Sequence, residues 1–300
     1  MKDLVKKNNT GYRPVNSRKL FVTDLDGTLL TDGKVIRKTE IDTLAALQDR
    51  DIVTAIATGR SFFSFNKLVA ELQQSSDTSP LPVDYVIFST GAGIMNFPRR
   101  DILKSFSLPH GDVVRVCGFL EMLGIDYMVQ RPVPQTNHFI YKSFGGENHD
   151  FQTRLGIYGE FATPLTDELL LRFGPATQVL AIVPAESGHQ AAAKIKGQFP
   201  ELSVIKATSP LDHTSIWIEI FAPEVNKSTA INWLCENIGL HRRGVCAVGN
   251  DYNDEDMLRW AGISFVTENT PSSLKALYAN VASNNDGGVS EAAASWLKMT

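Results

Sequence analysis

The first ninety residues alternate short apolar runs with segments whose apolar positions recur at helical spacing. Residues 19–23, 51–58 and 83–89 form the apolar runs, which are typical of buried strands. Residues 39–50 and 61–72 form the helical segments. Because strands separated by helices join through right-handed crossovers, this order predicts an α/β fold with a Rossmann-like parallel sheet.

The pattern changes after residue 90. Residues 91–109 are typical of a hairpin with its turn at 97–101, and a helix is expected at 110–123. Further strands are expected at 177–184, 202–208 and 215–223, with a helix at 185–199. This section therefore predicts an α+β unit built on an antiparallel sheet.

From about residue 224, apolar runs again alternate with helical segments, as in the first ninety residues. Helices are expected at 226–239, 253–261 and 271–279, with strands at 244–249 and 263–267. An interrupted α/β pattern of this kind indicates one domain that carries an insertion. We predict a loosely ordered tail at residues 1–17, a catalytic core at 18–89 plus 224–300, and an inserted cap at 90–223.

Composition narrows the class of protein. The chain is 43% hydrophobic and 21% charged, as in an ordinary globular protein. Its net charge of −4 gives no electrostatic reason to expect a nucleic acid or a membrane as partner. Cys117, Cys235 and Cys246 form no C-x-x-C pair, which argues against a zinc site or disulfides and favours the cytoplasm. The oligomeric state stays open.

Two aspartates follow the first apolar run, in the string D-L-D-G-T. Asp24 and Asp26 lie two residues apart, at the expected carboxyl end of a strand, where open α/β sheets bind their ligands. Two carboxylates there hold a hard cation or divide the roles of nucleophile and acid–base catalyst. A turn without function is the alternative, but a match to four fixed positions is rare by chance.

Candidate phosphate-binding residues also follow the second apolar run and stand at the start of a later helix. Thr58 offers a hydroxyl after the second run, Gly59 permits close backbone approach, and Ser61 caps a helix whose amino end attracts anions. Lys227 stands at the start of a helix, where a cation opposes the macrodipole and favours an external partner such as phosphate. Ordinary turn chemistry and a solvated lysine are the alternatives.

Acids and amides also crowd into the string A-V-G-N-D-Y-N-D-E-D-M-L at residues 247–258. One interpretation is a solvated loop that leads into a helix capped by Asn253 or Asp254. The other is a metal or phosphate site at the end of a parallel strand. The second interpretation is favoured because the three other candidate sites are also expected at the ends of neighbouring elements.

Together these motifs resemble the haloacid dehalogenase (HAD) superfamily, in particular the Cof-type sugar phosphatases of subfamily IIB. The string D-L-D-G-T matches the first family motif in full, and Thr58 lies in the A-T-G-R string of the second. Lys227 matches the third motif. The fourth motif, usually G-D-x-x-N-D-x-x-M-L, aligns without gaps to Gly249, Asn250, Asn253, Asp254, Met257 and Leu258.

The resemblance implies a mechanism. Asp24 would form an aspartyl-phosphate, and Asp26 would serve as general acid and then general base. Thr58, Lys227 and backbone groups of the first motif would hold the phosphoryl oxygens. Further contacts with phosphate or substrate are expected from Leu25, Gly59, Arg60 and Asn253.

Magnesium is the implied cofactor, bound by Asp24, the carbonyl of Asp26 and the fourth motif. The family usually has an acid where this chain has Asn250. An amide oxygen ligates Mg²⁺ but brings no charge. Asn250 itself, Asp251 and Asp254 therefore stay open as the ligand from this motif.

The function implied by the resemblance is Mg²⁺-dependent hydrolysis of a small phosphorylated metabolite, with sugar phosphates as the expected class. Substrate choice would belong to the cap, where Asp212 and His213 are candidate contacts. A phosphosugar mutase, which retains the phosphoryl group, is one alternative. A non-catalytic sensor of a phosphorylated ligand is the other, and the amide at position 250 is its support.

Overall fold

The computed structural model describes residues 18–75, 81–146 and 148–299. The predicted tail at residues 1–17 lies outside the described part. Within that part the chain forms an eight-stranded and a six-stranded sheet, and helices pack against both. The α/β fold class predicted from the sequence is confirmed.

The elements follow one another in three groups. The first group contains β1 (Lys19–Thr23), α1 (Lys38–Gln48), β2 (Ile52–Ala57), α2 (Phe62–Ser75), β3 (Tyr85–Phe88), β4 (Gly93–Asn96) and β5 (Asp101–Ser105). The second contains α3 (His110–Leu123), β6 (Tyr127–Gln130), β7 (Phe139–Lys142), α4 (His149–Ile157), β8 (Ala162–Pro164), α5 (Asp167–Phe173), β9 (Gln178–Val183), α6 (Ala185–Gln198), β10 (Ser203–Thr208) and β11 (Ile216–Phe221). The third contains α7 (Lys227–Ile238), β12 (Val245–Gly249), α8 (Glu255–Trp260), β13 (Ile263–Thr267), α9 (Ser272–Lys275), β14 (Ala279–Val281) and α10 (Gly288–Met299).

The eight-stranded core sheet has the order β14-β13-β12-β1-β2-β3-β4-β5. Its strands from β14 to β3 are parallel, and β1 lies between β2 and β12. Apolar side chains are buried on both faces, with Phe21 and Trp296 on one and Leu20 and Ile231 on the other. Because both faces are covered, the parallel strands are the nearly continuous apolar runs seen in the sequence.

The hairpin β4–β5 belongs to this core sheet. The insertion is expected from the sequence to start at residue 90, whereas strand pairing places its start after Ser105. The reason is the tight turn Ser89–Gly91, which folds β4 back against β3 and buries Ile94 and Met95 in the core. A tight turn between consecutive strands favours their antiparallel pairing.

The six-stranded cap sheet has the order β10-β11-β9-β6-β7-β8, with antiparallel pairs except for β7 and β8. Helices α3 and α6 cover one face through residues such as Val116 and Ile195. On the other face, Leu180 and Trp217 pack against Phe151 of α4. The cap therefore has its own apolar core.

The carboxyl-terminal segment differs from its prediction. A helix is expected at 271–279, but the chain forms only the short α9 there and continues into β14 and α10. Val289, Ala293 and Trp296 of α10 are buried against the core sheet, and this burial stabilises the helix. Among the described residues, no helix combines the length and apolarity that a membrane crossing requires.

Candidate active site

The carboxyl ends of β1, β2 and β12 meet at one edge of the core sheet because these parallel strands are neighbours. A cavity of about 590 Å³ opens there between the core and the cap. The expected site residues that line it are Asp24, Asp26, Thr58, Gly59, Arg60, His213, Asn250 and Asn253. The expected residues outside its wall are Leu25, Asp212, Lys227 and Asp254.

Lys227 lies beneath the cavity and is fully buried. Its Nζ donates hydrogen bonds to Asp24 Oδ1 at 2.7 Å and to Asp254 Oδ1 at 2.6 Å. Burial alone lowers the pKa of Lys227, but the two carboxylates outweigh it and raise the pKa above its ordinary value. The partner expected for this lysine was an external phosphate, whereas the structure provides two internal carboxylates.

Asp254 shapes the loop after β12. Its Oδ2 accepts hydrogen bonds from the backbone N–H groups of Asn250 at 2.8 Å and Asp251 at 3.1 Å, while Oδ1 accepts from Lys227. Both oxygens are engaged inside the protein and the residue is fully buried. In this geometry Asp254 fixes the loop and does not line the cavity, and its expected role as a metal ligand stays a prediction.

Asp24 carries the strongest electrostatic perturbation among the cavity residues of the core. Burial and the nearby Asp254 raise the pKa of Asp24 to about 7, although Lys227 acts in the opposite direction. Loss of hydration is the largest of these effects, so the ionised form of Asp24 is costly without a further cation. A cation next to Asp24 would favour its ionised form.

The side-chain amide of Asn250 lies against Asp24 and Asp26. One end of the amide is 3.2 Å from Asp24 Oδ2, 3.0 Å from the carbonyl oxygen of Asp26 and 2.9 Å from Thr28 Oγ1. Because the first two neighbours are acceptors, the hydrogen-bond network assigns the amide nitrogen to this end. Gly27 makes this approach possible, since its φ is +76° and a Cβ there would lie 2.4 Å from the amide.

Asp24 Oδ2, the carbonyl oxygen of Asp26 and the amide oxygen of Asn250 fit a magnesium ion when the amide turns its oxygen toward the other two atoms. Neighbouring ligands of octahedral Mg²⁺, at about 2.1 Å from the metal, lie about 3.0 Å apart. The amide end is 3.0 and 3.2 Å from its two oxygen neighbours. In the described part of the chain, no group of three or more His, Cys, Asp or Glu side chains forms a metal site. A cation here would therefore bind one carboxylate, one carbonyl and one amide.

Asp26 forms an ion pair with Arg60. Arg60 Nε and Nη2 donate to the two carboxylate oxygens at 2.6 and 2.7 Å, and Lys34 Nζ lies 3.2 Å from Oδ1. Burial raises the pKa of Asp26, but Arg60 and Lys34 together lower it below its ordinary value. Arg60 was expected to contact phosphate or substrate, and in this arrangement it contacts the candidate acid–base residue.

Thr58 and Gly59 lie beside a strained turn. The Oγ1 of Thr58 accepts a hydrogen bond from the backbone N–H of Arg60 at 3.0 Å, and its carbonyl accepts from Thr90 N–H at 3.0 Å. Ser89 and Thr90 have φ values of 48° and 55°, which non-glycine residues rarely adopt. Such strain concentrates at functional sites. The turn supports Thr58 from below the cavity.

Asp251 connects the fourth-motif loop to the cap. Its Oδ2 accepts a hydrogen bond from the backbone N–H of Thr208 at 3.1 Å, and its Oδ1 accepts from Tyr252 N–H at 2.7 Å. Neither oxygen is directed at Asp24 in the hydrogen-bond network. Of the three ligand candidates in this motif, Asn250 is therefore the one whose side chain contacts Asp24.

A second hydrogen bond joins core and cap. Thr90 Oγ1 donates to Glu219 Oε2 at 2.7 Å, and both residues are buried. Burial raises the pKa of Glu219 to about 7, although Thr90, Arg154 and Lys227 act in the opposite direction. The cap is thus fixed to the core by polar contacts on two sides of the cavity.

The two cap residues proposed from sequence differ in position. Asp212 Oδ1 accepts hydrogen bonds from the N–H groups of Thr214 and Ser215 at 2.9 and 2.8 Å, so its carboxylate closes a turn. It does not line the cavity, and the expected substrate contact does not agree with this position. His213 does line the cavity and is exposed at its rim.

Several polar residues of the cavity wall were not predicted from the sequence. Arg154 and Glu219 of the cap and Lys34 of the core all line the cavity. Glu219 had a visible signal, since it is the one charged residue in the apolar run 215–223. Arg154 had none, because an arginine in a polar helix is ordinarily solvated. The side chain of Leu25 is buried in the core, so only its backbone is available to a ligand.

The fold and site agree with a known class of enzyme. A sequence profile of the haloacid dehalogenase-like hydrolases matches residues 21–292. The chain belongs to this family, and the resemblance deduced from the motifs is confirmed.

Curated relatives extend this result. The HMP-PP phosphatase of Escherichia coli (strain 55989 / EAEC) is 23% identical over 261 residues, which cover 86% of this chain and 87% of the relative. The 5-amino-6-(5-phospho-D-ribitylamino)uracil phosphatase YcsE of Bacillus subtilis (strain 168) is 24% identical over 285 residues, which cover 93% and 96%. The family and these relatives identify an HAD-type phosphoric monoester hydrolase, as expected.

Solved structures support the fold. The phosphatase BT1666 from Bacteroides thetaiotaomicron superposes with a TM-score of 0.74 at 17% identity, covering 96% of this chain and 98% of that one. The HAD subclass IIB sugar phosphatase BT4131 superposes with a TM-score of 0.72 at 18% identity, covering 93% and 98%. At these identities the likeness concerns the fold alone.

Proposed function

We propose that the protein is a Mg²⁺-dependent phosphatase that hydrolyses a small phosphorylated metabolite through an aspartyl-phosphate on Asp24. The observation that carries the proposal is the environment of Asp24. Lys227 Nζ donates to Oδ1 at 2.7 Å, while Oδ2 is one of the three atoms that would hold a cation at the floor of the cavity. This arrangement orients a carboxylate toward a ligand, with one cation on Oδ1 and a position for a second beside Oδ2.

The first chemical step forms a bond between a carboxylate oxygen of Asp24 and phosphorus, and breaks the bond between phosphorus and the ester oxygen. Asp26 donates a proton to the departing oxygen. In the second step Asp26 takes a proton from water, which attacks phosphorus and releases inorganic phosphate and free Asp24. Thr58 and the first-motif backbone bind the phosphoryl oxygens during both steps.

Asp26 requires a change of partner for this role. Arg60 and Lys34 contact its carboxylate, so the proton-transfer step requires at least one oxygen to exchange these cations for the leaving group. The freed guanidinium of Arg60 lies at the cavity wall, where it would bind the substrate's own negative charge. Substrate binding would thus free the Asp26 carboxylate from its cations and raise its pKa, so that it takes up a proton from solvent before it donates one to the leaving group.

HAD phosphatases generally use a divalent metal ion. In this chain Asp24, the Asp26 carbonyl and Asn250 are the donors that would hold Mg²⁺. When bound, the ion would neutralise phosphoryl charge and keep Asp24 ionised. The site has less negative charge than one with an acid at position 250, so weaker binding of Mg²⁺ is part of the proposal.

The substrate class is proposed from the cavity and the relatives. A volume of about 590 Å³ accommodates a compact metabolite of sugar size or somewhat larger. The names of the two curated relatives concern small phosphorylated molecules. We include sugar phosphates in the proposed class.

The test measures hydrolysis of p-nitrophenyl phosphate and a panel of sugar phosphates in MgCl2. Asp24→Asn should reduce turnover at least about 1,000-fold, because a nucleophile has been removed. Asp42→Asn is the matched control, since Asp42 lies on α1 and its side chain is 59% exposed. Release of inorganic phosphate supports the phosphatase. A product that keeps its phosphate indicates a mutase, and binding without turnover indicates a sensor.

A further inference from the structure

Arg154 of α4 projects into the wall of the cavity that the cap provides. The carbon centre of its guanidinium lies 4.7 Å from the ring centroid of Trp217 and 5.1 Å from that of Tyr158. Both rings also line the cavity. Two aromatic contacts fix the plane of the guanidinium and keep water from its faces.

In the described part of the chain Arg154 forms no ion pair, although Glu219 and Asp150 lie within electrostatic range. Its Nε is buried without a hydrogen-bond partner, and no ion pair involves its guanidinium. The nearest acids are already engaged: Asp150 accepts hydrogen bonds from Ser209 Oγ and Trp217 Nε1, and Glu219 accepts from Thr90. Burial lowers the pKa of Arg154, but an arginine keeps its charge in proteins.

Two glutamines provide an independent observation on the same wall. Gln178 Nε2 donates to Gln130 Oε1 at 3.1 Å, which leaves Gln130 Nε2 and Gln178 Oε1 buried without partners. The two residues are 1% and 4% exposed. Buried polar groups of this kind are costly unless a ligand or water satisfies them. A hydroxyl group suits the pair, because it donates to Oε1 and accepts from Nε2.

We propose that Arg154 is the anion-binding residue of a leaving-group subsite, and that the preferred substrate is a hydroxylated phosphate ester carrying a second anionic group. That group is a carboxylate or a second phosphate, either of which the guanidinium fork binds. The proposal rests on the proposed phosphatase function, since it concerns the part of the substrate that leaves. It makes acidic sugar derivatives better substrates than neutral sugar phosphates.

The position of Arg154 agrees with a role beside the reacting phosphate. Glu219 lies within electrostatic range of Arg154 and accepts a hydrogen bond from Thr90, whose N–H is bonded to the carbonyl of Thr58. One short chain of contacts thus connects the subsite to the expected phosphate pocket. Arg154 and Asp24 also line the same cavity. We therefore expect a single small molecule to occupy both places.

The test compares matched substrates in the wild type, Arg154→Gln and Arg154→Lys. Glucose 6-phosphate and 6-phosphogluconate differ by a carboxylate, and fructose 6-phosphate and fructose 1,6-bisphosphate differ by a second phosphate. The readout is the ratio of kcat/KM for the acidic ester to that for its neutral partner. Changes in folding or in general catalysis affect both members and cancel in this ratio.

The wild type should favour at least one acidic ester by about ten- to a hundredfold, as a charge-assisted hydrogen bond supports. Arg154→Gln should bring that ratio to within about threefold of unity, and Arg154→Lys should retain part of it. The ester that shows the preference identifies the anion. A wild-type ratio near unity for both pairs overturns the proposal, as does a ratio unchanged in Arg154→Gln.

A binding measurement distinguishes failure of the subsite proposal from failure of the proposed phosphatase function. Calorimetric titration of Asp24→Asn, with and without Arg154→Gln, gives affinities for the same four esters without turnover. Tighter binding of an acidic ester that depends on Arg154 supports the subsite even if no ester is hydrolysed, in which case only the phosphatase proposal fails. Equal affinities within each pair overturn the subsite whatever the activity.

Discussion

Asn250→Asp is the substitution that most directly tests the cation position. In the metal-free protein a carboxylate at position 250 would lie about 3.2 Å from Asp24 Oδ2, the distance that the amide has now. Two unit charges at that distance repel by about 5 kcal/mol at an effective dielectric constant of 20. The substitution also replaces an amide N–H donor with a group that cannot donate when ionised. The variant should therefore lose stability without metal.

Part of this repulsion relaxes through small movements, so we expect a net loss of about 2 kcal/mol and a decrease in Tm of about 4–8 °C in EDTA. Magnesium removes the repulsion, since it would lie between the two carboxylates. The dissociation constant for Mg²⁺ should therefore fall at least about tenfold, because ligand charge governs the affinity of such sites. Calorimetric titration with MgCl2 at pH 8 and thermal melts with and without EDTA measure the two quantities.

Asn237→Asp is the control, because Asn237 is exposed on α7 and the substitution adds the same charge away from the cavity. It should leave the affinity for Mg²⁺ unchanged, and it should lower the metal-free Tm much less than Asn250→Asp does, since an exposed negative charge in the last turn of a helix has only a small unfavourable effect. An Asn250→Asp variant with unchanged affinity for Mg²⁺ and an unchanged metal-free Tm would refute the reasoning. That result would mean that the amide does not border a cation position.

Three further predictions concern the same site. Lys227→Met leaves the buried carboxylates of Asp24 and Asp254 without their cation and should lower the free energy of unfolding by about 3–5 kcal/mol in urea titrations, whereas the exposed Lys38→Met should have little effect. Because the folded pKa of Glu219 is about 7 against an ordinary 4.5, this residue should contribute a loss of stability of about 3 kcal/mol as the pH rises from 4.5 through 7. Asp24 also has a raised pKa and contributes in the same range, so Glu219→Gln should make the decrease smaller by the share of Glu219, and parallel curves for the two proteins would disprove this expectation. Asp251→Ala removes the contact with Thr208 and should raise KM several-fold more than it lowers kcat, an expectation that equal changes in both would contradict.

Much of the candidate site follows from local sequence. Asp24, Thr58 and Asn250 come directly after apolar runs, and the parallel order of those runs brings their ends together. The period of the apolar residues and the rule for the carboxyl ends of strands are enough to bring these three residues together, without knowledge of any side-chain contact.

The partners of the charged residues could not be predicted in this way. Lys227 and Asp24 are 203 positions apart, and their hydrogen bond depends on how far α7 approaches β1. A lysine at the start of a helix has the same local pattern whether its side chain points to solvent or into the protein. Its burial, and hence its two internal partners, depends on tertiary packing.

The errors in the element boundaries have a similar origin. The hairpin β4–β5 has the same local pattern in either sheet, and only its pairing with β3 assigns it to the core. Helix α10 is different, because Val289, Ala293 and Trp296 lie at helical spacing on one buried face, so its apolar pattern was present in the sequence. Its alanine residues also favour a helix.

The loop after β12 has one consequence that concerns regulation of the site by its own ligands. Asn250 borders the cation position, and the next residue, Asp251, accepts a hydrogen bond from the cap. Asp254 fixes the backbone of both. A movement of the cap that displaces Thr208 would therefore reach the proposed cation position through two adjacent residues of one loop. If cation binding favours one position of the cap, that position of the cap favours cation binding by the same factor.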